Sequence, residues 1–132
     1  MRQLAVLTLF VCLCVSTFAD NPTSMVWSTY LGGNEEDINQ DLVADANGDI
    51  YVCGTTRSSD FPTTAGAFDE TFNGGSTNEY GGDTWVAKID GVTGQLIYST
   101  FLGGPGDEEP DAIYVNASGE VIVLGLTASA NF

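Results

Sequence analysis

The feature that most constrains this chain is an internal repeat. The stretch Trp27–Gly33 recurs as Tyr98–Gly104, and one constant offset relates 27–61 to 98–132 without a gap. We call the step from Trp27 to Tyr98 the repeat offset. Most mismatches between the two copies keep the residue class. Self-similarity at a fixed period is typical of arrays whose units cannot bury their apolar faces alone. The sequence therefore predicts two copies of one folding unit that pack against each other.

Each copy has the pattern of a β-hairpin. Apolar residues at 42–44 and 50–56 flank the dipeptide Asn47-Gly48, which favours a tight type I′ turn with positive φ at both central residues. The second copy repeats the hairpin at 113–115 and 121–127. No segment has helical spacing of its apolar residues over several turns, so we predict essentially no helix.

Glycines at equivalent places in the second strand of each hairpin carry a more specific prediction. Gly54 and Gly125 are related by the repeat offset and lie within the strand patterns. A glycine inside a strand often marks a close approach of two backbones. The run Val121–Leu124 is apolar at every position, which predicts a strand buried on both faces.

Two further strands are predicted between the copies, at 83–90 and 95–102, joined by the turn 91–94. In the first of them Trp85, Ala87 and Ile89 fall on one face, whereas Val86 and Lys88 fall on the other. A loop at 57–82, rich in small polar residues, precedes these strands and is long for a compact domain. We expect two of its side chains to attach it to the body. They are Phe68 and Phe72.

Four antiparallel strands followed by a second hairpin predict an all-β fold built from β-propeller blades, which are four-stranded antiparallel meanders. The segment 26–132 would supply about one and a half blades of an incomplete ring. A propeller closes with typically about 4–8 blades. The sequence is therefore interpreted as the N-terminal fragment of a longer propeller.

Several short motifs resemble a known repeat. They are Tyr-Ser-Thr-Phe-Leu-Gly-Gly, an acidic loop, a hairpin ending in Gly-x-Thr, Phe-Pro-Thr-Thr and Asp-x-x-Val-x-Lys. Their order is similar to that of the bacterial β-propeller repeat called SBBP, over Val26 to Phe132. The second copy departs from the pattern where Glu109-Pro110 replaces Ile38-Asn39. The resemblance implies a propeller in a secreted or surface-attached bacterial protein, without a defined activity.

The segment Met1–Ala19 has the pattern of a signal peptide. Arg2 precedes an apolar run at 4–15, and small residues flank Phe18 and end at Ala19. The run is shorter than the roughly 20 apolar residues that span a bilayer. We expect a cleaved leader at 1–19, a short polar segment at 20–25 and a mature chain without a membrane span. The protein would be secreted or displayed at the cell surface; a buried N-terminal helix or strand is the alternative.

Charge and cysteine content limit the partners and the chemistry. The chain has 18 acidic and 3 basic side chains, a net charge of −15, which repels nucleic acid and anionic membranes. Cations or basic groups, on a protein or carbohydrate at the cell surface, are compatible with this charge. Cys12 and Cys14 lie in the predicted leader, so Cys53 is expected to be a small buried hydrophobe.

Acidic clusters follow both Gly-Gly pairs and are the main candidates for a binding face. Alternate loops of an antiparallel meander emerge on the same end, so these clusters should share an end with the loop 57–82. The candidate face comprises Glu35, Glu36, Asp37, Asp107, Glu108 and Glu109. The alternative is a solvated, repulsive surface that keeps a secreted protein soluble.

Calcium is the one cofactor that the sequence leaves open. Asp45, Asn47 and Asp49 alternate as the first ligands of a calcium loop do, but the following Gly and the bidentate Glu are missing. The hairpin interpretation is therefore preferred at that place. The clustered carboxylates of the candidate face are the other possible calcium ligands.

No catalytic residue is predicted. The chain has no histidine, no phosphate-binding loop and no serine elbow. The protein is therefore expected to be a binding or structural scaffold rather than an enzyme. The alternative is part of an extracellular propeller enzyme acting on polysaccharide, with its active site in other blades. The aromatic side chains are expected in the core rather than on sugars. They are Trp27, Tyr30, Trp85 and Tyr98.

Overall fold

The computed structural model describes residues 11–12, 25–75 and 81–132. These residues form strands, turns and loops and contain no helix, so the all-β prediction is confirmed. Accordingly, no described helix could serve as a membrane span. The strands are β1 Val11–Cys12, β2 Ser28–Thr29, β3 Asp37–Ala44, β4 Ile50–Thr56, β5 Asp83–Ile89, β6 Leu96–Leu102, β7 Glu108–Val115 and β8 Val121–Thr127.

The predicted four-stranded meander is present. Strands β3, β4, β5 and β6 pair in that order, each antiparallel to the next. Strands β7 and β8 form a separate hairpin, and β1 pairs antiparallel with β2. The predicted leader and the segment 20–24 otherwise lie outside the described residues.

The repeat found in the sequence is also a repeat of the backbone. The bounds of β7 and β8 follow those of β3 and β4 by the same repeat offset. Both hairpins also have an irregular register at the same place, between Asn39 and Asp41 in the first and between Pro110 and Ala112 in the second. A bulge leaves a backbone group out of the ladder, so Pro110 fits there without losing a paired N–H.

The hairpin turns differ from the predicted type. The Gly48 N–H donates to the Asp45 carbonyl oxygen at 3.0 Å, which makes Ala46 and Asn47 the central residues of the turn. Gly48 follows them with a φ of 87°. A turn followed by a left-handed glycine is a three-residue hairpin loop rather than a tight type I′ turn. Gly119 repeats this arrangement, with a φ of 82°.

One face of the four-stranded sheet forms the larger core. Trp85 packs there with Phe61, whose ring centroid lies 4.9 Å from that of Trp85, and the alternation predicted for β5 is confirmed. Phe72 reaches the same core and meets Phe101 edge-on at 6.0 Å. The predicted attachment through Phe68 is wrong, because that side chain is 81% exposed.

The opposite face of the sheet packs against the second hairpin. Tyr51, Cys53 and Val86 contribute from the sheet, and Ile113 contributes from β7. Cys53 is completely buried, and its burial raises the pKa of the thiol to about 11. The expectation of a small buried hydrophobe at this position is confirmed.

Strand β8 is exposed, and the prediction that it is buried on both faces is wrong. Ile122, Leu124 and Leu126 are all largely accessible to solvent. Only one face of the hairpin meets the four-stranded sheet, and β8 has no partner on its free edge among the described residues. The apolar composition of β8 therefore does not decide its burial.

The long loop covers the outer edge of β6. The Thr64 N–H donates to the Ser99 carbonyl at 3.0 Å, and the Phe101 N–H donates to the Asp69 carbonyl at 2.9 Å. These bonds occupy polar groups that would otherwise form an open sheet edge. The Thr100 hydroxyl also donates to the Asp69 carbonyl.

Only part of the aromatic set lies in the core. Trp85 is fully buried and Trp27 packs half-buried against the larger core. Tyr30 and Tyr98 are exposed, so the core prediction is wrong for them. Tyr98 pairs with Lys88, and directly paired residues of neighbouring strands share a face of the sheet. Because Lys88 lies on the face opposite to Trp85, Tyr98 lies on that face as well.

Candidate functional site

The loops cluster at one end of the sheets, as the meander pattern predicts. Arg57 forms an ion pair with Glu36 at 3.1 Å and donates from Nε to the Gly81 carbonyl at 3.0 Å. The Asn34 N–H donates to Asp60 Oδ1 at 3.0 Å. We call this part the loop end, comprising residues 31–36, 57–75, 81–82 and 103–107.

The second acidic loop joins the same end through the long loop and the start of β5. The Glu108 N–H donates to the Gly82 carbonyl at 2.9 Å. Asn73 Nδ2 lies 3.4 Å from the Gly103 carbonyl. The long loop therefore contacts both acidic loops and connects them.

The six carboxylates proposed for the binding face divide into three groups. Glu35 and Glu109 are exposed, whereas Glu36 and Asp107 are half-buried. Asp37 and Glu108 are buried, with exposed fractions of 4% and 1%. Two carboxylates that the sequence did not single out are also exposed on the long loop. They are Asp60 and Glu70.

Asp37 is bound by groups from three segments of the first repeat. Its Oδ2 accepts the Gly33 N–H at 2.7 Å and the Ser58 hydroxyl at 3.2 Å. Its Oδ1 accepts the Thr56 hydroxyl. Hydrogen bonds to an ionised carboxylate are stronger than neutral ones. The side chain therefore ties the Gly-Gly turn to the end of β4.

Glu108 makes the equivalent contacts in the second repeat. Its Oε2 accepts the Gly104 N–H at 3.1 Å, and its Oε1 accepts the Thr127 hydroxyl at 2.8 Å and the Ser129 hydroxyl. Every donor is related to its counterpart in the first repeat by the repeat offset. We call Asp37 and Glu108, with these donors, the carboxylate anchors.

The anchors were missed because the sequence presents them as members of acidic clusters. A signal was nevertheless present in both copies. The acidic residue comes four positions after the second glycine, and a Thr and a Ser follow it by 19 and 21 positions. Since this spacing is kept in both copies, it distinguishes a structural carboxylate from its solvated neighbours.

The turn end lies opposite and comprises residues 45–49, 91–94 and 116–120. Lys88 Nζ lies 2.8 Å from Asp49 Oδ2 and 3.7 Å from Asp45 Oδ2. The bond to Asp49 raises the pKa of Lys88 above its usual value. Partial desolvation of Asp45 is outweighed by N–H donors from Asn47 and Asp49, so the pKa of Asp45 is lowered.

These contacts account for the calcium-like spacing of Asp45, Asn47 and Asp49. Asp45 Oδ1 accepts the N–H groups of Asn47 and Asp49 and so closes the turn. In the second repeat, Asn116 Oδ1 accepts the N–H groups of Ser118 and Glu120 in the same way. Across residues 11–12, 25–75 and 81–132, no group of three or more acidic, cysteine or histidine side chains could hold a metal ion.

A groove of about 480 Å³ separates β5 and β6 from the second hairpin. Its lining is mainly apolar and aromatic, and includes Tyr51, Phe68, Tyr98 and Val123. The groove exists because β7 packs over β3 and β4, leaving the outer half of the sheet less covered.

Comparison with protein families matches residues 26–62 to the SBBP beta-propeller repeat. The matched segment contains the first hairpin and the whole Asp37 anchor. The match confirms the predicted resemblance to the SBBP beta-propeller repeat over this segment. A search of curated proteins gives no match.

Proposed function

We propose that the protein is a secreted or cell-surface scaffold of β-propeller blades whose loop end binds a protein or carbohydrate bearing cationic groups. The observation that carries the proposal is the convergence of both acidic loops and the long loop at one end. Exposed carboxylates there come from separate segments, among them Glu35 and Asp60. Their charges add to a field that attracts cations.

The basic side chains of the described residues leave this field largely negative. Arg57 is half-buried and paired with Glu36. Lys88 lies at the turn end and is bound to Asp49. The exposed carboxylates of the long loop therefore face solvent without a nearby lysine among the described residues. This distribution favours a cationic partner over an anionic one.

Charge reversal at exposed positions tests the proposed surface. The variant combines Glu35→Lys, Asp60→Lys and Glu70→Lys and leaves both carboxylate anchors intact. Binding of a fluorescent oligolysine peptide, measured by anisotropy at about 0.05 M salt, should weaken at least tenfold because attraction becomes repulsion. The cell-envelope fraction of the producing organism serves as the second probe.

A variant at the turn end provides the control. Glu120→Lys makes the same kind of charge change on an exposed side chain far from the loop end. Each of the single variants Glu35→Lys and Glu120→Lys reverses one charge, so Glu35→Lys should weaken binding more than Glu120→Lys. Equal losses in these two single variants would show attraction by net charge alone, and unchanged binding in the triple variant would reject the loop end as the recognition surface.

The proposed location has its own test. Expression of the whole sequence in a secreting bacterial host should release a product that begins at Asp20, as read by N-terminal sequencing. Supporting this, Met1–Ala19 has the order of a leader. A product that retains Met1 in the cytoplasm would reject secretion through this segment.

Calcium is not part of the proposal. Two of the six candidate carboxylates are engaged in the anchors, and no group of three or more acidic side chains among the described residues could hold a metal ion. Calorimetric titration with calcium chloride should therefore give no binding heat. Heat that disappears in the triple charge-reversal variant would instead indicate calcium at the loop end.

A further inference from the structure

A buried carboxyl group, Asp83, lies beneath the loop end and belongs to neither carboxylate anchor. It begins β5 and is completely inaccessible to solvent. Its Oδ2 accepts the Asn73 N–H at 2.6 Å, whereas its Oδ1 has no hydrogen-bond partner. A buried polar atom without a partner costs free energy, and more when it carries charge.

A second buried carboxyl group lies on the same side of Gly103. A methyl group added to Gly103 would lie 2.6 Å from Glu108 Oε2 and 3.1 Å from Asp83 Oδ1. Both oxygens therefore lie close to Gly103, which has no side chain to separate them. Two like charges in a buried site disfavour ionisation of one another.

The charges around Asp83 are negative on the elements that pack against it. Glu108 acts from β7 and Asp69 acts from the long loop. Burial, reinforced by these two charges, raises the pKa of Asp83 to about 6. Arg57 contacts the same end through the Gly81 carbonyl, but its ion pair is with Glu36.

We propose that Asp83 keeps a proton while it is buried near Glu108, and that the absence of its charge lets the long loop stay packed onto the acidic loop 103–107. The two carboxyl groups link these loops because Asp83 holds Asn73 of the long loop, while Glu108 holds Gly104 of the acidic loop. Loss of the proton to solvent leaves two neighbouring carboxylates, whose repulsion loosens the long loop. The device is a pH switch in the fold and does not depend on the proposed partner.

The direction of the pH dependence follows from linkage. The pKa of Asp83 is raised above its ordinary value of 3.8, so the folded state binds more protons than the unfolded state between the two values. The contribution of this group to stability is greatest below pH 4. It falls as the pH rises towards 6 and stays low above that.

Replacement of the acid by its amide tests this proposal. Asp83→Asn keeps the shape of the side chain and cannot ionise. The melting temperature of the variant should exceed that of the unmodified protein by about 5 °C at pH 8, and the difference should nearly vanish at pH 4.5. Asp111→Asn, which removes an exposed charge, should show no such pH-dependent difference.

Amide hydrogen exchange at Asn73 provides a second readout in the unmodified protein. The protection factor of the Asn73 N–H should fall at least tenfold between pH 5 and pH 8, after correction for the intrinsic exchange rate. Unchanged protection, or an Asp83→Asn variant that gains nothing at pH 8, would overturn the proposal. Stabilisation of the unmodified protein but not Asp83→Asn by calcium chloride at pH 8 would also overturn it, because the pair would then bind a metal ion instead of a proton.

Discussion

The two hairpins have one shape and opposite surroundings. Every residue of β4 is buried, whereas β8 is exposed at all positions but one, which is half-buried. The bounds of both strands, the bulges and the left-handed glycines nevertheless coincide at the repeat offset. Local shape therefore comes from the repeated sequence, and burial comes from what stands next to each hairpin.

The residues that differ between the hairpins sharpen this comparison. The positions of Cys53 and Thr55 are taken in the second repeat by Leu124 and Leu126. The exposed hairpin thus has the larger apolar side chains at these positions. An exposed apolar face of this kind is characteristic of an interaction surface.

The largest expected difference in the free energy of unfolding is between substitutions at equivalent buried and exposed positions of the two hairpins. Cys53→Lys places a charge at a completely buried site and should abolish the fold, a loss above about 4 kcal/mol. Leu124→Lys, at the equivalent exposed position, should change stability by less than about 0.5 kcal/mol. Urea denaturation measures both, and similar losses would mean that β8 is covered in solution.

The carboxylate anchors should matter equally in both repeats, because their contacts are the same. Asp37→Ala and Glu108→Ala each leave one N–H and two hydroxyl donors without their acceptor and should cost about 3 kcal/mol. Glu35→Ala is the control on an exposed neighbour and should cost less than about 0.5 kcal/mol. A much smaller loss for Glu108→Ala would confine the anchor to the buried repeat.

Alanine substitution of the glycines within β4 and β8 should destabilise the two hairpins unequally, but the difference should be smaller than that expected for the lysine substitutions. A methyl group on Gly54 would lie 2.0 Å from the Ile38 carbonyl and 2.7 Å from the Trp85 ring. On Gly125 it would lie 2.5 Å from the Glu109 carbonyl, with no ring beside it. Gly54→Ala should cost about 3 kcal/mol and Gly125→Ala about 1 kcal/mol, because an edge strand can shift. Thermal unfolding would contradict this ordering if both losses were equal.

Alanine substitution of the turn glycines should cause the smallest losses of stability, and the losses should be similar in the two repeats. Gly48 and Gly119 have positive φ, and a methyl group on either would meet no atom within 4 Å. Gly48→Ala and Gly119→Ala should each cost about 1 kcal/mol through the backbone conformation alone. Ala46→Ser, beside the first glycine, serves as a near-neutral control in the same denaturation series. A loss several times larger in one repeat would show that its turn makes contacts beyond the hairpin.

The hairpins and the faces of β5 could be predicted because they depend on local periodicity. The alternation of Trp85, Ala87 and Ile89 leaves one way to pair the strand with a core on that side. The close approach expected at Gly54 is also confirmed by the position of the Ile38 carbonyl. These features involve residues near in sequence or repeated at a constant offset.

The anchoring of the long loop could not be predicted in the same way. Phe68 and Phe72 are both phenylalanines in a polar segment, yet only Phe72 reaches the core. Which one does so depends on the path that the backbone takes from Phe61 to the outer edge of β6. That path is set by long-range hydrogen bonds, for which the sequence has no local pattern.

By itself the sequence determined the repeat, the all-β class and the place of each hairpin, because strand alternation and turn chemistry act over a few residues. Only the tertiary structure decided that Asp37 and Glu108 are internal anchors, that Asp83 and Glu108 both lie beside Gly103, and that β8 is open to solvent. The physical reason is that burial and the pairing of charges depend on neighbours brought together across the chain. Acidic residues in the same sequence pattern can therefore be exposed surface charges or buried structural groups.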